Sequence, residues 1–276
     1  MPTRPRPALE GALGCLAALT VVGIVAHLFT DGESLDARVL RGFTRLRFYD
    51  VERALEPIVH FGDPGPYLLI TLAIVGTAFA RGRRRLALFA GVALVSAPIT
   101  AEVLKVLTAQ ARDHSVRFAD HISNASWPSG HTTGAMTAAL CALLVAPRAA
   151  RPLVALLGGA YALAMGSTVI ALVWHFPSDV IGAYLLSAGF VLLAVAAARQ
   201  WPDVETEPDA APDWRSILTA AGTAVAILAV LALTYFRPAR LLEQADRNTT
   251  LLAAGTVMAA LIAVLVTLVA RSAREL

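Results

Sequence analysis

Three stretches of this 276-residue chain carry side chains that could do chemistry: Lys105 with Arg112, the run Pro128-Ser129-Gly130-His131, and His175 with Asp179. Lys105 and Arg112 are two cations separated by six residues. Ser129 and Gly130 stand where an apolar run begins, so a helix N-terminus with its open N–H groups is expected beside His131. Cations together with such N–H groups form a cradle for an anion, and phosphate is its natural occupant. Two histidines can divide the remaining work. One attacks phosphorus as a neutral imidazole, oriented by a carboxylate on its other nitrogen, and the other gives a proton to the leaving oxygen. The i, i+4 spacing of His175 and Asp179 fits the oriented nucleophile, and His131 fits the acid. Positioning and electrostatics carry phosphoryl transfer, so the set calls for no metal and no cofactor. Cys15 and Cys141 both fall in apolar runs and read as small buried hydrophobes, and no CxxC or HExxH pattern is present.

Each of these residues also has a plainer reading. Lys105 and Arg112 could be snorkelling cations at a membrane interface, Ser129 a helix cap, and His175–Asp179 a structural hydrogen bond. His114 and His121 read as solvated loop residues. What favours chemistry is the joint occurrence of these groups, and that depends on the elements that must bring them together.

The chain is 57% hydrophobic and 16% charged, with a mean hydropathy of +0.65, which makes it an integral membrane protein. The pI near 9.2 does not point to nucleic acid, because the formal net charge is only +3 and the arginines cluster in short loops between apolar runs. Lys105 is the one lysine among 23 basic residues. A span needs roughly 20 apolar residues, and eight candidates emerge: 8–30, 66–80, 86–104, 131–146, 153–174, 179–198, 216–236 and 251–270. The second and fourth are short. The first is too long for a signal-peptide core and reads as an uncleaved span.

Orientation follows from Arg81-Gly82-Arg83-Arg84-Arg85, the strongest cytoplasmic marker in the chain. Alternation then puts both termini, Arg148/Arg151 and the 200–214 loop inside. The 31–65 segment lies outside and should form an amphipathic interfacial helix over 35–51. The stretch 201–215 reads as an acidic, Pro-rich cytoplasmic linker between a core (1–200) and a C-terminal two-helix transmembrane hairpin (216–276). Gly158, Gly159, Ala160 and Gly166 predict close helix packing. The expected fold is all-α and polytopic, a six-helix core plus that hairpin. Lys105, Arg112, Ser129, Gly130, His131, His175 and Asp179 then all fall at the outer membrane face, and ionisable groups near a membrane tend to be functional.

At these residues the chain resembles the phosphatidic acid phosphatase type 2 (PAP2) superfamily, whose motifs are K-x6-R-P, P-S-G-H and S-R-x5-H-x3-D. Lys105 to Arg112 matches the first spacing with Asp113 in place of proline, and Pro128-Ser129-Gly130-His131 matches the second in full. His175-x3-Asp179 matches the end of the third, while the Ser-Arg pair falls on Thr168-Val169. The resemblance spans the six-helix core. It implies that Lys105, Arg112, Ser129 and Gly130 hold phosphate, that His175 forms a phosphohistidine oriented by Asp179, and that His131 protonates the leaving group. Arg117 is a candidate stand-in for the arginine that Val169 replaces.

The function expected is a metal-independent lipid phosphatase acting on a lipid phosphate or polyprenyl diphosphate at the extracytoplasmic face of the cytoplasmic membrane. Rival readings are a phosphotransferase with a sugar or lipid acceptor, a catalytically weak lipid-phosphate-binding or scramblase-like protein, and a secondary transporter. The last has no mid-span charges to support ion coupling. Which lipid is used, and the oligomeric state, are left open by the sequence.

Overall fold

The computed structural model describes residues 6–29, 34–44, 49–111, 122–200 and 249–273. Among these residues every regular element is helical. In chain order they are α1 (Arg6–Leu28), α2 (Leu35–Thr44), α3 (Tyr49–His60), α4 (Pro64–Ala80) and α5 (Arg84–Leu107). There follow α6 (Gly130–Val145), a 3-10 turn (Arg148–Ala150), α7 (Arg151–Ala171), α8 (Pro177–Arg199) and α9 (Thr249–Ser272). Five of them, α1, α5, α7, α8 and α9, are long and apolar enough to cross a membrane, and α4 and α6 are shorter apolar helices. The chain is thus a multi-pass membrane protein. The 201–215 linker and the 216–236 span lie outside the described residues, as does most of the polar segment before Trp127.

The bundle is organised around α8, which is buried along most of its length. Helix α1 lies along it, α6 packs against α5, α7 and α8, and α4 packs against α5. Helix α9, from the expected C-terminal hairpin, rests on α7 and α8, and Arg199 at the end of α8 donates to the Ser272 carbonyl at 2.6 Å. Small residues allow the close crossings that the sequence predicted. A Cβ at Gly158 would lie 2.9 Å from the Ala139 Cβ of α6, and one at Gly166 would lie 2.7 Å from Val180 Cγ1 of α8 and collide with the Tyr184 hydroxyl. Tyr184 uses that room to donate to the Ala162 carbonyl at 2.9 Å.

Inside a bilayer every backbone group needs a protein partner. Pro98 sits within α5 and has no N–H, so the carbonyl of Leu94 one turn earlier loses its helical donor. The Tyr67 hydroxyl of α4 donates to that carbonyl at 2.7 Å, with its ring laid over Gly134 of α6. The proline is therefore repaired by a neighbouring helix.

The 31–65 segment differs from expectation. In place of one interfacial helix over 35–51 there are two, α2 and α3, the second running to His60. The apolar face of α2, with Ala37, Leu40 and Phe43 buried, packs against α7, α8 and α9. An amphipathic pattern does not say whether lipid or protein receives its apolar side, and here protein does. Asp36 on α2 accepts from the Ser178 N–H at 2.8 Å and from the Ser178 hydroxyl at 2.5 Å. It thereby ties α2 to the first turn of α8, where a helix end favours negative charge.

This repair and the close crossing at Gly166 have measurable consequences. Tyr67→Phe strands the Leu94 carbonyl and should lower stability by about 1–3 kcal/mol, read as an earlier thermal unfolding midpoint in detergent. Gly166→Ala should destabilise by about 1–3 kcal/mol through overpacking. Gly14→Ala, with nothing within 4 Å of the new methyl, should be neutral or stabilising.

Candidate active site

Four chain segments meet at one end of the bundle: the α3–α4 turn, the end of α5, the start of α6, and the α7–α8 connection. Their side chains arrive there through local backbone chemistry.

Helix α6 starts at Ser129, whose hydroxyl accepts from the Thr132 N–H at 3.4 Å and whose carbonyl accepts from the Thr133 N–H at 2.9 Å. Ser129 is thus a buried helix cap, the plainer of its two readings. The N–H groups of Gly130 and His131 are the remaining first-turn donors without a helical acceptor, and Gly130 lies beside Lys105. A Cβ at Gly130 would lie 3.0 Å from Lys105 Nζ and 2.8 Å from Glu102 Oε1, so glycine is what lets the ammonium approach the helix end. The preceding Trp127 anchors this segment. Its indole is wedged between α1 and α8, close enough that a Cβ at Gly23 would lie 2.8 Å from the ring and one at Gly182 2.9 Å from Nε1.

Helix α7 ends in a Schellman motif. Val173 N–H bonds the Ile170 carbonyl and Trp174 N–H bonds the Val169 carbonyl, both at 2.9 Å. Helix α4 ends in the same way, with Gly82 at φ 77° in the left-handed position. In α7 that position falls to Val173, at φ 59°. A β-branched residue there is a genuine conformational outlier, and such strain gathers at functional sites. The turn it makes delivers Trp174 and His175 to the site. Val169, where the PAP2 motif carries arginine, is fully buried, and its carbonyl also accepts from the His175 N–H at 3.3 Å.

His175 and Asp179 are brought together. His175 Nδ1 is 3.2 Å from Asp179 Oδ2, and the same oxygen accepts from the Phe176 N–H at 3.0 Å. Asp179 is fully buried in the first turn of α8, and its carbonyl accepts from the Ser129 N–H at 3.0 Å. That bond joins the start of α6 to the start of α8. Lys105 and His175 are both close enough to His131 to act on it electrostatically, and the Trp174 ring centroid is 5.8 Å from that of His131. Arg112, Arg117, His114 and His121 lie outside the described residues.

Residues 86–203 match the family model of the PAP2 superfamily. Over that stretch, the chain belongs to this superfamily. The PAP2 stretch runs from α5 through α8 and holds every candidate site residue named from the sequence. A crystal structure described as the first transmembrane PAP2 type phosphatidylglycerolphosphate phosphatase from Bacillus subtilis has the same fold. The two share 17% sequence identity with a TM-score of 0.55, over 70% of this chain and 98% of that one. A search of curated proteins gives no match.

Sequence reasoning missed two charged residues. Glu102 accepts from Lys105 Nζ at 2.6 Å, one turn earlier on α5. Its i, i+3 spacing from the lone lysine was the available signal. Asp63 lies before the PAP2 stretch, at the N-terminus of α4. Its Oδ2 is 2.9 Å from His60 Nδ1 and its Oδ1 is 3.4 Å from His131 Nε2. Hydrogen bonding to His60 first, then to His131, holds the Asp63 carboxyl below the usual carboxylate range.

An anion entering beside Lys105 must compete with Glu102. Glu102→Gln should therefore tighten inhibition by inorganic phosphate or vanadate by about two- to fivefold, the worth of an exposed ion pair. Inhibition constants at constant ionic strength measure this.

Proposed function

We propose that this chain is a metal-independent lipid phosphatase working through a phosphohistidine at the extracytoplasmic face. The observation that carries the proposal is the His175–Asp179 pair beside His131 and Lys105, at the N-terminal ends of α6 and α8. With Nδ1 held by Asp179, His175 presents Nε2 to the substrate. The Nε2 lone pair attacks phosphorus, the P–O bond to the leaving alcohol breaks, and the leaving oxygen takes a proton from His131. Water then attacks the phosphohistidine and gives its proton back to His131. The P–N bond breaks, releasing inorganic phosphate and neutral His175. Lys105 and the N–H groups of Gly130 and His131 balance the phosphoryl charge, with Arg112 and Arg117 as further cations for this role. Ser129 serves by holding that helix end in place.

A lipid substrate is favoured by what surrounds Lys105. Glu102, the partner of Lys105, also borders an apolar groove of about 580 Å³ on α5, lined further by Pro98, Ile99, Val103, Val106 and Leu107. A lipid phosphate would put its headgroup at Lys105 and an acyl or prenyl tail along this groove. Phosphatidate, phosphatidylglycerol phosphate and polyprenyl diphosphates all share that shape. The basic Arg81–Arg85 loop is at the opposite end of the bundle, where Arg81 reaches the Val145 carbonyl at 2.5 Å, and the positive-inside rule favours a cytoplasmic placement of that end.

Burial of Val169 favours a second reading, a slow enzyme or lipid-phosphate binder that lacks the motif arginine. A phosphate-release screen over a lipid-phosphate panel separates the two. Wild type should release phosphate and His175→Ala should reduce release to background. Binding of lipid phosphate without release by the wild type would leave the binder.

A further inference from the structure

We propose that Asp63 is the positioning residue for His131, giving this site a second carboxylate–histidine pair that supports protonation of the leaving group. The inference rests on the phosphatase reading above.

Asp63 occupies the N-cap position of α4, followed by Pro64, where an aspartate ordinarily caps its own helix. Here the side chain makes no cap hydrogen bond. Both oxygens turn outward to imidazoles instead, Oδ2 to His60 and Oδ1 to His131. The local backbone is shaped for this approach. Gly62 closes the α3–α4 turn with its N–H on the Val59 carbonyl at 2.7 Å, and a Cβ on Gly62 would lie 2.7 Å from His131 Cδ2. Only glycine lets the turn pass so close to the imidazole face. Trp174 flanks the same ring. His131 is thus held from the α3–α4 turn and from the α7–α8 connection together.

The consequence is an assignment of nitrogens. Asp63 faces Nε2, so in the imidazolium the Nε2–H is held by the carboxylate and Nδ1–H is free to serve the substrate. As the P–O bond breaks, the proton moves from Nδ1 to the leaving oxygen, and His131 is left as the neutral tautomer protonated on Nε2. When water attacks the phosphohistidine, its proton returns to Nδ1. The pair at His175 has the opposite sense, Nδ1 on the carboxylate and Nε2 toward phosphorus. A histidine kept in the right tautomer by a carboxylate loses most of its catalytic worth when the carboxylate becomes an amide.

The test exploits leaving-group chemistry. An alcohol must be protonated as it departs, and a nitrophenolate leaves without help. Phosphate release from decyl phosphate and from 4-nitrophenyl phosphate is measured with the full chain in mixed lipid–detergent micelles. Asp63→Asn should lower kcat/KM, which reports formation of the phosphohistidine and not its hydrolysis, about ten- to a hundredfold on decyl phosphate and change it less than about threefold on 4-nitrophenyl phosphate. Asp63→Glu should recover much of the loss, and His131→Ala should show the same split between esters, only larger. An equal loss of kcat/KM on both esters, or no loss on decyl phosphate, would overturn the role of Asp63. Those results are distinct from failure of the phosphatase reading, which would show as wild type releasing no phosphate from either ester, or as His175→Ala retaining activity, and would end this proposal too.

Discussion

A fully buried carboxylate in a membrane protein must be answered by donors, and the answer to Asp179 organises this end of the bundle. Its side chain takes the Phe176 N–H and the His175 imidazole, and its carbonyl takes the Ser129 N–H. An uncompensated charge in that position would be costly. Placing it in the first turn of α8 adds the favourable field of the helix N-terminus. One residue thereby fixes where α8 begins, how the α7–α8 connection turns, and where α6 begins relative to both.

Around that anchor, the helices meet through small residues and repaired polar groups. Glycines at 158 and 166 bring α7 onto α6 and α8, and hydroxyls on the crossing helices find carbonyls. Ser187 of α8 reaches the Thr133 carbonyl of α6 at 3.0 Å, so the same pair of helices is joined again inside the bundle. Among the described residues, the one non-glycine positive φ falls in the turn before His175, where Val173 takes a backbone conformation that Gly82 takes at the other end of the bundle. A packed scaffold can hold one such outlier because the surrounding contacts over-determine it.

The segment between α1 and α4 adds two acids to this end of the bundle. It supplies Asp36 to the start of α8 and Asp63 to His131. Both acids lie before the stretch that carries the superfamily match, residues 86–203. The candidate site is therefore wider than that stretch, and its electrostatics are a balance: Glu102 against Lys105, Asp63 against His60 and His131.

Hydropathy and motif spacing alone determined the membrane character, the placement of seven apolar helices among the described residues, and which histidines to watch. Those features are local, written in runs of apolar residues and in the i, i+4 step from His175 to Asp179. The partner of His131 was not legible, whereas the i, i+3 step from Glu102 to Lys105 was open to reading. Asp63 stands before a proline at the start of α4, a position that says nothing of a histidine on α6. The fate of α2 was hidden for the same reason, since its amphipathic pattern is identical whether it faces lipid or α7–α9. Only tertiary structure decided these points, because hydrogen bonds between side chains 68 residues apart, as for Asp63 and His131, depend on how helices cross and leave no periodic trace in the chain.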